Sequence, residues 1–340
     1  MNKLALRILT TILVAGCSQA GQLANLPSAS TQSARPANSN GRFLYVVNSN
    51  GNSVSVYSPG GTSPIRTLTG IESPDAITID GGTGNVFIAE AGGPSFYGEV
   101  FEYGPGQTTP KASITEDIAN PVALVTGGAN DLYVASGRAG DSHIGDYSLT
   151  DLTFKRHFGQ THQSLNAIAI GNGSIYGAYD PSVTVFSTKD GKTERTIRRL
   201  IKCPMSVAHD SSFDLYVANG DGCGADYVTV YSPTGVFLRK IDAGINNARA
   251  LAIDGSQNLY VANYTGNDIA VYAPGRSNPT RYISQGISRP DALAFNESGV
   301  LFVSNQTSDT ITAYQPGASS PIRTIRTGVN GPVALAFSKQ

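Results

Sequence analysis

The stretch "LYVVNSNGNSVSVYSP" (residues 44–59) is two short apolar runs of alternating character around a polar Asn/Gly loop. That is the pattern of a β-hairpin half buried in a sheet. It returns far downstream as "LYVANYTGNDIAVYAP" (259–274). A chain that rewrites one hairpin in this way is built from repeats.

Around the hairpin, a unit of four phrases recurs with a period of about forty residues. The first is an LYVAN-type strand, at 43–48, 86–90, 132–136, 175–179, 215–219, 259–263 and 301–305. An alternating strand follows, as in "SVSVY" (53–57) and "DIAVY" (268–272). A Pro/Gly turn then leads to a polar third strand such as "SPIRTLTG" (63–70) or "SPIRTIRTG" (320–328). Last comes a small-residue strand, from "PDAITID" (74–80) to "PVALAFS" (332–338). Seven occurrences of each of the two clearest strands, with four short strands per unit, predict an all-β, seven-bladed β-propeller, with a solenoid or open sandwich as the alternative. Closure of the ring favours the propeller because it leaves only short, protected edges.

The phasing predicts how the ring closes. The chain enters at the second strand of a blade and leaves with an inner strand, so residues 332–338 should complete the blade begun by residues 43–69. Within the inner strands one position is small (Ala76, Ala123, Ala167, Ser206, Ala250, Ala292, Ala334) and the next is large and apolar. Successive side chains face opposite neighbours, so one blade's large residue fills the space over the next blade's small one. Arg66, Arg239, Arg281 and Arg323 on the outer strands read as exposed charges that discourage edge-to-edge pairing.

The apolar-Tyr-Val strand, an Asn and a second Asn or Asp before the next strand resemble the YVTN-type repeats of bacterial envelope propellers, and more loosely NHL repeats. Here the pattern appears as Asn48/Asn52, Asn263/Asn267 and Asn305/Asp309, with Glu90, Ser136 and Tyr179 departing from it. The resemblance covers residues 43–340 and implies the propeller fold. It implies no particular activity, because propellers host lyases, hydrolases and binding modules alike. The recurring Asn residues suggest either a ring of ligands or loop fasteners, and repetition in most blades favours fasteners.

Composition narrows the partners. Charged residues make up 14% of the chain and the net charge is −1, so nucleic acid is not expected as a partner. Lys3 and Arg7 precede the apolar run "ILTTILVA" (8–15), too short to span a bilayer and suited to an export signal. "VAGC" (14–17) resembles the lipobox of bacterial lipoproteins, which implies cleavage before Cys17 and acylation of its thiol. An ordinary signal peptide is the alternative. The expected organisation is a signal peptide over 1–16, a lipidated Cys17 with a flexible tether over 17–41, and the propeller over 42–340. Ser18 after the Cys favours the outer membrane or cell surface over the inner membrane, and a monomer is expected.

Few residues remain as candidates for chemistry. Cys203 and Cys223 fall in loops on one face of one repeat, and export would allow them to form a disulfide rather than stay free thiols. The residue opening each inner strand should line the mouth of the central channel: Asp75, Val122, Asn166, Met205, Arg249, Asp291 and Val333. Paraoxonase-type propellers hold a catalytic cation there on acidic and Asn ligands. That resemblance makes a calcium ion on Asp75, Asn166 and Asp291 one reading, and an Arg249–Asp291 ion pair with no metal the simpler one. His143, His157, His162 and His209 show no metal-ligand spacing.

The loops after the LYVAN-type strands are longer in repeats two (90–98), three (136–143) and five (219–226), and shortest in repeat four. This outlines a notch over repeat four walled by Arg138, Asp141, His143, Asp221 and Asp226, unless the lengths are ordinary loop variation. Tyr97, Tyr179 and Tyr264 offer a weaker route to carbohydrate contact. The leading expectation is a lipid-anchored envelope propeller that binds a protein, small molecule or glycan without catalysis and without a cofactor. The alternative is a metal-dependent lyase or lactone hydrolase working at the channel mouth.

Overall fold

The structure is a computed structural model and describes residues 18–20, 42–92, 98–127, 130–137, 140–220 and 223–338. Among the described residues, alternating apolar residues fold into seven sheets, each built on four antiparallel strands in the order inner, second, third, outer, with a fifth, parallel strand added to the inner edge of one. The sheets are the blades of a β-propeller. Blade one takes its inner strand from the C-terminus, Pro332–Phe337, and its other three strands from Leu44–Asn48, Ser53–Tyr57 and Arg66–Leu68. The inner strands of blades two to seven are Pro74–Ile79, Pro121–Gly127, Leu165–Gly171, Pro204–His209, Ala248–Ile253 and Pro290–Phe295.

Closure follows the expected phasing. Val46 lies opposite Leu335 and Val47 opposite Ala334. The seam is locked further where Phe43 N–H donates to Ser338 Oγ at 3.0 Å and Ser338 N–H donates back to Phe43 O. Ser18–Ala20, within the segment read as a tether, forms a short strand parallel to Ala248–Ile253 on the inner edge of blade six.

The core lies between blades. The small inner-strand residues from Ala76 to Ala334 and their large neighbours, such as Ile77, Leu124 and Leu251, are buried. The third-strand tyrosines Tyr57, Tyr103, Tyr147, Tyr231, Tyr272 and Tyr314 are also buried. Each donates its hydroxyl to a carbonyl in the loop arriving from the preceding blade, on Thr327, Thr69, Glu116, Arg199, Ala243 and Gln285 respectively. Each therefore fills space and satisfies a loop carbonyl, as buried tyrosines usually do. Blade four has Phe186 at this position.

The outer-strand arginines are not simply exposed edge charges. Arg66, Arg239 and Arg281 are half-buried and lie over the second-strand rings of Tyr45, Tyr216 and Tyr260. Their Nη2 groups donate to those phenol oxygens at 2.9, 3.1 and 2.9 Å. The long aliphatic stem lets an arginine on the rim cover the ring and still bond to its far end.

Candidate functional site

The loops that lead into the inner strands and the loops after the second strands share one face. Their polar side chains form a framework that repeats around the ring. Asn48, Glu90, Ser136, Asn219, Asn263 and Asn305 end the second strands and accept the N–H groups of Asn330, Glu72, Ala119, Lys202, Asn246 and Ser288. Glu90 and Ser136, which break the Asn pattern in sequence, thus do the same work. A second group links neighbouring blades: Asn52, Asp180, Asp226, Asn267 and Asp309 accept the N–H groups of Ser73, Cys203, Asn247, Arg289 and Gly331. Those five residues all have positive φ, from 45° to 60°. The side-chain oxygen holds each in the left-handed turn that starts the next inner strand. The Asn residues are fasteners.

The axial residues differ from one blade to the next, and the backbone explains why they stand apart. In every blade the pairing of inner and second strands shifts by one residue at the same place. The unpaired residues are Asp75, Val122, Asn166, Met205, Arg249, Asp291 and Val333. A bulge releases a residue from the ladder and re-aims its side chain, here at the channel mouth. The bulge is the feature that sequence periodicity missed.

At the mouth, Arg249 Nε donates to Asp291 Oδ1 at 2.6 Å, and Asp291 is buried. Burial raises the Asp291 pKa while Arg249 opposes the rise. Arg249 also lies over the ring of Tyr264, 5.8 Å from its centroid. Burial pushes the Asp75 carboxyl up to about 6, helped by the Asp291 charge and opposed by Arg249. Blade one separates the two carboxylates in the ring, yet the Asp291 charge still adds to the rise at Asp75. Asn166 does not join them, because its Nδ2 donates to Pro204 O at 3.0 Å and ties blade four to blade five.

Cys203 and Cys223 are joined in a disulfide, with Cα atoms 6.3 Å apart. The residues proposed to wall the notch meet different fates. Cys17, Tyr97, Arg138 and Asp221 lie outside the described residues. His143 does not face an open rim: it is buried, with Nε2 3.0 Å from Asp117 O and 3.2 Å from Asp117 Oδ2. Asp141 Oδ1 lies 3.6 Å from His143 Nδ1. Asp226 is exposed but bonds to Asn247 N–H at 3.1 Å, toward blade six and away from the notch. Tyr179 is buried and offers no ring to a glycan, whereas Tyr264 is partly exposed with its hydroxyl on Gln306.

The histidines are less scattered than their spacing suggests. His157 Nδ1 lies 3.0 Å from the same Asp117 Oδ2 that His143 approaches, and the two imidazoles are 5.2 Å apart. They meet because Gly145 pairs with His157 across the third and outer strands of blade three, which makes His143 a diagonal neighbour. Among the described residues, no group of three or more His, Cys, Asp or Glu side chains is arranged to hold a metal ion.

No family model matches the chain, and no curated protein matches it. Solved structures do. A protein of unknown function from Desulfotomaculum acetoxidans DSM 771 aligns over 87% of this chain and 99% of its own, with TM-score 0.70 and 16% identity. Virginiamycin B lyase from Staphylococcus aureus aligns over 76% of this chain and 85% of its own, with TM-score 0.62 and 14% identity. The WD40 propeller domain of Doa1 aligns over 78% and 87%, with TM-score 0.62 and 10% identity. At these identities the likeness is one of fold, and the fold is the seven-bladed β-propeller.

Proposed function

We propose that this chain is an extracytoplasmic binding propeller, anchored through a lipidated Cys17, whose channel-mouth face receives a protein, glycan or small-molecule ligand without catalysis. The observation that carries the reading is the Arg249–Asp291 pair. It occupies the buried carboxylate that an axial cation would need and leaves the mouth as a mixed polar and apolar surface set on seven bulges. The Cys203–Cys223 disulfide supports export, since such bonds persist in oxidising compartments. The repeat framework supports it as well, because it accounts for the polar residues that would otherwise suggest a catalytic ring.

A second reading, a metal-dependent lyase or hydrolase, has one observation in its favour. Asp75 holds its proton up to about pH 6 beside Asp291, within the range of a useful acid or base. The virginiamycin B lyase neighbour shares only the fold.

Two measurements test the proposal. Expressed with its own leader, the chain should take up labelled fatty acid and enter the detergent phase, and Cys17→Ser should abolish both; a soluble, unlabelled wild type refutes the anchor. Calcium titration followed by calorimetry should give no saturable heat. Saturable binding that is lost in Asp75→Asn would replace the scaffold reading with the metal-dependent one.

A further inference from the structure

The opposite face carries a second candidate site. Between blade seven and blade one lies a cavity of about 180 Å³, bordered by Arg42, Tyr57, Gly60, Glu297, Phe302 and Arg323. Its chemistry follows from a departure in the repeat.

Six blades place an arginine at one register position of the outer strand: Arg66, Arg156, Arg195, Arg239, Arg281 and Arg323. Five of them have an acceptor. Arg66, Arg239 and Arg281 use the second-strand tyrosine hydroxyl, and Arg281 adds Ala318 O at 2.6 Å. Arg156 uses Asp146 and Thr188 O, and Arg195 uses Tyr176 and Glu194. Blade two has Phe87 in place of the tyrosine and Ala112 in place of the arginine, so hydroxyl and cation vanish together.

Blade seven breaks the pairing. Phe302 removes the hydroxyl, yet Arg323 is kept at the matching register. The guanidinium sits 5.3 Å from the Phe302 ring centroid. Its Nε is buried without a partner, as are those of Arg66, Arg195 and Arg239, but where Arg66 and Arg239 bond a phenol through Nη2, Arg323 faces a ring with no hydroxyl to accept. Burial lowers its pKa. The nearby Glu297 carboxylate is already engaged by Arg42.

We propose that this seam cavity binds the carboxylate or phosphate oxygens of a small anion on Arg323, which thereby regains the acceptor that tyrosine provides in blades one, five and six. The planar guanidinium suits such an oxyanion and can donate two parallel bonds to it. The volume corresponds to roughly six waters, enough for an anionic head with a short body. The Tyr57 and Phe302 walls favour a body with apolar character.

The test is calorimetric titration of the full chain with benzoate and with inorganic phosphate, against chloride at matched ionic strength. Saturable binding of either probe supports the site and tells carboxylate from phosphate. Phe302→Tyr restores the missing hydroxyl without removing core volume and should weaken binding at least tenfold at unchanged or higher Tm. Arg323→Gln should weaken it as much. No saturable heat from either probe overturns the proposal. So does binding that is unaffected by Phe302→Tyr or is abolished instead by Arg249→Gln at the channel mouth.

Discussion

The carboxamide of Asn48 accepts the N–H of Asn330 at 3.0 Å, joining residues 282 positions apart across the seam of the ring. Its Nδ2 donates to Ser55 Oγ and to Gly328 O, each at 3.1 Å. One buried side chain thus satisfies three groups from the two ends of the chain. Asn48→Ala strands the Asn330 N–H, while Ser55 Oγ still donates to Gly328 O at 2.6 Å, and should cost about 1–3 kcal/mol, read as a lower urea midpoint. Asn48 joins the chain ends, whereas Asn263 holds neighbours within about twenty positions. Proteolysis at the termini should therefore accelerate in Asn48→Ala and not in Asn263→Ala.

Removing residues 332–340 should be more severe than any point change. Pro332–Phe337 supplies the inner strand of blade one, and without it Leu44–Asn48 becomes a bare apolar edge. The truncated chain should lose its cooperative melt and aggregate. A melt unchanged from wild type would show that the ring does not depend on this closure.

His209 should make stability depend on pH. Burial pushes its pKa from 6.5 down to about 4. The unfolded chain therefore binds a proton that the folded chain refuses between those values. Stability is full above pH 6.5 and falls as the pH drops toward 4, by about 3 kcal/mol at most. His209→Phe keeps a ring against Tyr176, 4.2 Å away, and should flatten that part of the profile in urea melts from pH 7.5 to 4.

Asp75 should act with the opposite sign. Its pKa rises from 3.8 to about 6, so the folded state favours the neutral acid. The penalty is present above pH 6 and absent below 3.8. Asp75→Asn should therefore stabilise the protein at pH 7.5, by no more than about 3 kcal/mol, and change nothing at pH 3.5.

These residues show where a sequence is legible. The strand positions, the inner-strand alternation and the closure follow from period and phase, which a repeat displays openly. The Asn fasteners follow too, because a role shared by Asn48, Asn263 and Asn305 is structural by repetition. The axial bulge was hidden, since an unpaired residue leaves no mark on side-chain periodicity. The meeting of His143 and His157 was hidden for a related reason. The outer strand of blade three, Phe154–Thr161, lacks the Pro-Ile-Arg phrase that marks the outer strands of blades one and seven. Tyr179 looked like a surface ring because it stands at a fastener position, yet in blade four that position is filled by bulk and buried.

The Arg249–Asp291 pair separates the scaffold from the alternative most sharply, because its two halves are unequal. Asp291 is 1% exposed, whereas the Arg249 side chain is 33% exposed and rests on Tyr264. Removing the arginine strands a buried carboxylate, while removing the carboxylate leaves a cation that still reaches water. Arg249→Gln should therefore cost about 3–5 kcal/mol at pH 7.5, and progressively less as the pH falls, because burial raises the Asp291 pKa and favours its neutral acid. Asp291→Asn alone should cost less, and adding it to Arg249→Gln should recover most of the loss. A double-mutant cycle in urea measures the coupling directly. Additive costs would mean that the pair is incidental and that the mouth is open to a cation after all.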